Sequence, residues 1–185
     1  MATALSNVGQ YEDALVLLRV VERKKVAALA EDHPDVAAVQ HSQAFALGKL
    51  GKHHEALALL RVAERKKVAA LSEDHPDVAS TRHSMCATLQ ALGQHDDALA
   101  LLQVVERKQV AALGKFHPTV AATRQRRVGV LEALGRFDKA LADCETALFV
   151  ALAALGSTHP AVTALRHTFP SVRAQAALAR PRASG

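Results

Sequence analysis

Tryptophan is missing from this chain, and aromatic residues make up only 3% of its 185 residues. A β-sandwich or barrel fills its sheets with aromatic and β-branched side chains, so this scarcity argues against both. No run of 18 uncharged apolar residues occurs, which excludes a recognisable transmembrane helix. The opening stretch MATALSNVGQYEDA has neither a basic region nor an apolar core, so no secretory signal is expected. Only two cysteines are present, Cys86 and Cys144, at no zinc or redox spacing. Both are expected to be buried thiols, and a cytoplasmic protein is expected. There is no glycine-rich phosphate loop, no His-Glu-x-x-His and no serine elbow. Catalytic residues, metal ligands and cofactors are therefore all expected to be none.

What the chain does contain is alanine, leucine and valine, within a composition that is 50% hydrophobic. That mixture suits closely packed helices. The formal net charge is +5. Arg166, Arg173, Arg180 and Arg182 lie in a C-terminal stretch without acids, and the remainder is nearly neutral apart from an acid-free segment from Arg107 to Arg127. A global polyanion-binding surface is not indicated, whereas local acidic partners are compatible with this pattern.

The chain repeats itself every 42 residues. Gly9, Gly51, Gly93 and Gly135 keep that spacing, as do Ala14, Ala56, Ala98 and Ala140, and the pairs His33-Pro34, His75-Pro76, His117-Pro118 and His159-Pro160. Segments 16–37 and 58–79 differ at only three positions. Each period reads as two helices. Proline opens the first helix, where its missing N–H is not needed. Asp35 and Asp77 favour the first-turn dipole, and glycine ends the helix in a left-handed conformation. A second helix follows, such as residues 53–72, with Ala56, Leu59, Leu60, Ala63 and Leu71 at roughly helical spacing and the ERKK block expected on the solvated side. Short loops make neighbouring helices antiparallel, and stacked hairpins form a solenoid.

The pattern Gly9-Tyr11-Ala14-Leu18-Val21, repeated as Gly51-His53-Ala56-Leu60-Ala63, Gly93-His95-Ala98-Leu102-Val105 and Gly135-Phe137-Ala140-Cys144-Ala147, resembles the tetratricopeptide repeat. The 42-residue length and the His-Pro-x-Val-Ala motif are similar to the kinesin light chain subtype, over residues 1 to about 169. The resemblance implies an all-α, right-handed superhelical solenoid of antiparallel helix hairpins whose first helices line a concave, peptide-binding groove. The expected divisions are 1–34, with a truncated first helix, then 35–76, 77–118 and 119–160, followed by a fifth first helix. Pro170 is expected to end that helix, with residues 170–185 forming a cap and a disordered basic tail. The half-length helix at residues 2–8 suggests a fragment, or a homodimer through the N-terminal edge.

The histidine ladder is expected to be structural: stacked helices lie roughly 10 Å apart, whereas zinc ligands must converge at about 2.0 Å. By repeat register, the groove is lined by Ala38, His41, Ser42 and Phe45, by Ser80, His83, Ser84 and Ala87, and by Ala122, Gln125, Arg126 and Gly129, with Lys49 and Gln90 nearer the helix ends. Small residues leave room for a ligand backbone. The asparagines with which the family grips a bound peptide are replaced here by Gln40-His41-Ser42-Gln43, Arg82-His83-Ser84-Met85 and Arg124-Gln125-Arg126-Arg127. Two of those positions are normally apolar, so the first helices are expected to be weak. The functional expectation is a protein-interaction scaffold binding a partner's acidic peptide, with Arg126 pairing its carboxylates and Phe45 giving apolar contact. The alternative is a sensor or spacer segment of a larger receptor with a nucleotide-binding switch domain. RNA binding is disfavoured, because stacking aromatics and regular polar pairs are absent.

Overall fold

The computed structural model describes residues 10–179, so the half-helix at 2–8, the N-terminal edge and most of the basic tail lie outside the described residues. Eight helices and no strand occur among them: α1 Tyr11–Leu29, α2 Pro34–Lys49, α3 His53–Leu71, α4 Pro76–Ala91, α5 His95–Leu113, α6 Pro118–Ala133, α7 Phe137–Leu155 and α8 Pro160–Ala179. The chain divides into two compact units, one ending at Gln94 and the other starting at His95. Within the first, α1, α2, α3 and α4 pack in chain order, and α2 also meets α4. Within the second, α5 to α8 repeat that arrangement.

The helix ends follow directly from the repeated residues. His33, His75 and His117 each cap the following helix, their ring Nδ1 accepting the backbone N–H of Asp35, Asp77 and Thr119 at 3.1, 3.1 and 3.2 Å. This satisfies a donor that the first turn otherwise leaves open. At the other end Gly51 turns left-handed, with φ of 75°. Lys52 N–H then reaches the Leu47 carbonyl at 2.9 Å while Gly51 N–H reaches Gly48, closing a Schellman motif. Gly93 and Gly135 do the same one and two periods later.

A second left-handed position, less apparent in the sequence, ends each long helix. It is held by Gly114 and Gly156 in the later repeats but by Ala30 and Ser72 in the earlier ones. Ala30 has φ 78° and ψ 161°, and Ser72 has φ 82° and ψ 159°. This region is almost reserved for glycine and costs other residues about 1–3 kcal/mol.

Burial repeats with the same period. Ala14, Ala56, Ala98 and Ala140 are completely buried, as are Val36, Val78, Val120 and Val162. A methyl group at the alanine positions lets two helices approach closely, and a larger side chain there overpacks the contact. Cys86 and Cys144 are buried and form no disulfide, and burial first of all pushes the Cys144 pKa up.

The ERKK block is solvated only in part, which corrects the sequence expectation: Arg23, Lys24 and Arg65 are exposed, but the two lysines of the second block are not. Lys66 and Lys67 are only 8% and 4% exposed. Lys66 donates to the Glu31 carbonyl at 2.8 Å and Lys67 to Thr81 Oγ1 at 3.0 Å. The glutamate of the block accepts the polar residues of the next first helix. Glu22 takes Gln40 and Gln43 at 2.7 and 2.8 Å. Glu64 takes Arg82, and Glu106 takes Arg124 and Arg127. Arg127 also forks onto both oxygens of Asp143. Burial alone would lower the pKa of Arg82 and of Arg127, but their carboxylate partners outweigh it and hold both raised. The polar residues at normally apolar positions are thus paired across a helix seam and do not leave the first helices unsupported.

Helix α8 also departs from expectation, because it runs through Pro170. Val162, Leu165, Val172 and Ala176 are buried on both sides of the proline. That continuous apolar face offsets the one N–H and the local clash that proline costs. The two left-handed turns at Ala30 and Ser72 carry a separate cost. Ala30→Gly and Ser72→Gly are expected to stabilise the protein by about 1 kcal/mol each, since relief of strain exceeds the extra backbone entropy of glycine. Urea unfolding checks this, and a lowered midpoint in both variants would contradict it.

Candidate functional site

The exposed side of α2 carries Ala38, Ser42, Phe45 and Lys49, spaced to lie along one stripe. Phe45 is 52% exposed. Its ring meets Tyr11 edge-on at 6.4 Å, and Lys49 Nζ lies 5.4 Å from its centroid. These contacts hold an otherwise solvated aromatic ring in place. On α4, Ser80 and Ala87 are exposed, and His83, Ser84 and Gln90 are half-buried.

His41 joins the two first helices of this unit. Its Nε2 lies 2.8 Å from Ser84 Oγ, and its Nδ1 faces Lys67 Nζ at 3.5 Å. An ammonium can only donate, so Nδ1 accepts and Nε2 carries the proton given to Ser84. Ser84 in turn donates to the Ser80 carbonyl at 3.3 Å, and Ser42 donates to the Ala38 carbonyl at 3.1 Å. Burial, then the Lys67 charge, lowers the His41 pKa, with Asp77 opposing them. Burial likewise lowers Lys67, again opposed by Asp77. His41 and Ser84 therefore set the spacing of α2 and α4, while Phe45 and Lys49 face outward.

The second unit places its residues on α6. Ala122, Arg126 and Gly129 are exposed, and Gln125 is half-buried. Of the three neighbouring arginines, Arg124 and Arg127 are consumed by Glu106 and Asp143. Arg126 alone among them is exposed to solvent. Charge run alone could not make that distinction. The acceptors lie on α5 and α7, and only a helical seam brings them to the arginines.

Two features escaped the sequence reading. One is Lys67, hidden because a charged block reads as a solvated face. The other is an exposed pair in the second unit, Phe116 and Phe149, with ring centroids 6.5 Å apart and Lys115 Nζ 5.0 Å from the Phe116 centroid. Among the described residues, no group of three His, Cys, Asp or Glu side chains forms a metal site, and no helix is long and apolar enough to cross a membrane.

Stacked helix hairpins with exposed first-helix faces define a helical-repeat scaffold for protein interaction. Residues 36–77 and 78–119 each match the family model of the tetratricopeptide repeat. Among solved structures, the chain is similar to the nearly identical TPR-like repeats of a kinesin light chain-like protein of Podosopora anserina. The TM-score is 0.82 at 26% identity, over 96% of this chain and 84% of that one. BtubC (BKLC) of P. vanneervenii shares the fold, with a TM-score of 0.75 at 17% identity over 100% of this chain and 82% of that one. No curated protein matches the sequence. The fold class is thus the all-α solenoid of antiparallel hairpins, and its kinesin light chain-like subtype accounts for the 42-residue period.

His41 carries a testable pH signature. Its folded pKa is depressed, so the unfolded chain binds the proton more readily. The stability it contributes is complete above its ordinary value of 6.5 and is lost as pH falls below that toward the folded value. Acidification in this window is expected to destabilise the wild type more than His41→Gln. Parallel melting-temperature profiles for the two proteins would refute the assignment.

Proposed function

We propose that the first-helix faces bind extended acidic peptide segments of a partner protein. Tetratricopeptide repeats are protein-interaction scaffolds, and the finer assignment rests on which side chains face outward. The observation that carries it is the exposure of Arg126 beside Ala122 and Gly129, while its neighbours Arg124 and Arg127 are already neutralised. Small residues on one stripe admit a peptide backbone, and a guanidinium between them offers a forked donor to a carboxylate. In the first unit, the stripe Ala38, Ser42, Phe45 and Lys49 supplies the same combination of space, cation and apolar contact. His41, His83, Ser84 and Gln125 stand at the margins of these stripes as half-buried supports.

Acidic peptides titrated against wild type, Arg126→Glu and Lys49→Glu test this reading. Each reversal is expected to weaken binding about tenfold, mostly through faster dissociation, and to flatten the salt dependence. Equal affinity for all three proteins would sink it. Arg124→Glu serves as a contrast: it places two carboxylates in the α5–α6 seam and is expected to lower the melting temperature, an effect Arg126→Glu should not share.

A further inference from the structure

A cleft of about 360 Å³ opens beside α1, lined by Glu22, Arg23, Val26, Ala27, Glu31 and Gln40. It lies on the α1 side of α2, away from the stripe of Ala38, Ser42 and Phe45. Gln40 is only 6% exposed, and its Oε1 is buried with no hydrogen-bond partner. Its amide is committed the other way, because Nε2 donates to Glu22 at 2.7 Å. Both oxygens of Glu22 are occupied by neutral amides, from Gln40 and Gln43. A buried acceptor without a donor, next to a carboxylate whose described partners are uncharged, is an arrangement that a cation with several N–H groups would complete.

The next repeat shows what fits such a place. One period on, the same wall recurs as Glu64, Arg65, Val68, Ala69 and Glu73, and only the last position changes, from Gln40 to Arg82. There the Arg82 guanidinium bridges the two glutamates, with Nε on Glu64 at 2.5 Å and Nη2 on Glu73 at 3.0 Å. Arg124 and Arg166 hold the position in the later repeats. Arg124 pairs with Glu106, and Arg166 reaches the Ser157 carbonyl at 3.5 Å. The first repeat therefore keeps both carboxylates of an arginine site, Glu22 and Glu31, but lacks the arginine. Arg23 at the rim does not bar a second guanidinium, since Arg65 accompanies Arg82 in the repeat where the site is filled.

We infer that this cleft is a guanidinium site that receives an arginine side chain from a partner peptide. Glu22 supplies charge, as does Glu31, whose exposed carboxylate lies 3.7 Å from Lys66 Nζ on its other side; Gln40 Oε1 accepts an N–H, and Val26 and Ala27 line the path of the aliphatic stem. The site is independent of the acidic-peptide faces, so an intact or abolished effect of Arg126→Glu leaves it untouched.

The test is an NMR titration of the isotope-labelled protein with Nα-acetyl-arginine methylamide, with the citrulline analogue as neutral isostere and the lysine analogue as a point charge. The arginine probe is expected to shift the Gln40 side-chain amide and the backbone signals of Glu22 and Glu31. The citrulline probe should bind at least about tenfold more weakly, because it loses the charge-assisted bonds. Gln40→Arg should fold, melt at a higher temperature and no longer bind the probe, its own guanidinium filling the cleft as Arg82 fills the next one. Equal binding of arginine and citrulline, shifts confined to other residues, or no shifts at all would overturn the assignment. So would a Gln40→Arg protein that melts lower or still binds the probe.

Discussion

In the first three of the four long helices, the seam with the short helix that follows depends on one recurring contact. A glutamate on the long helix receives the side chain placed 18 residues later: Glu22 with Gln40, Glu64 with Arg82, and Glu106 with Arg124. Around it, fully buried alanine and valine allow the two helices to approach closely. An unpaired carboxylate in that position would cost several kcal/mol, so a hairpin slipped by one residue is penalised where apolar packing alone would tolerate it. The charged pairs need add little net stability to have this effect. Their influence is on register, and register decides which residues of α2, α4 and α6 face solvent.

That constraint also sorts the charges into those already engaged and those available. Lys66, Lys67, Arg82, Arg124 and Arg127 look like candidates for ligand binding, but the structure pairs each with another element of the chain. Lys49 and Arg126 are left on the surface. On the first-helix faces the available basic groups are thus separated and set among small residues. Such a surface gains specificity from placement more than affinity from total charge.

The helix order, the proline starts at Pro34, Pro76 and Pro118, and the glycine stops at Gly51, Gly93 and Gly135 were legible because each recurs at one spacing and has a local cause. The histidine caps were legible for the same reason. The seam was not, since its partners lie on different helices and a run such as Glu64-Arg65-Lys66-Lys67 has the composition of a solvated face. Helix α8 ran past Pro170 because burial of Leu165 and Val172 on either side outweighs a local preference. Of the candidate site, the stripe of Phe45 and Lys49 followed from helical periodicity. The distinction between Arg126 and its two neighbours required knowing where Glu106 and Asp143 stand.

The left-handed turn after each long helix bears on how such an array can grow. In a linear stack, stability is close to a sum of repeat terms and nearest-neighbour terms. A copy of the repeat ending at Ala30 or Ser72 brings its unfavourable backbone conformation with it, so the penalty accumulates with every duplication. A copy ending at Gly114 or Gly156 brings none. Two repeats with nearly the same sequence through this region therefore differ as building blocks from the later pair: the former limit how far an array can lengthen, and the latter leave its length unconstrained at that joint.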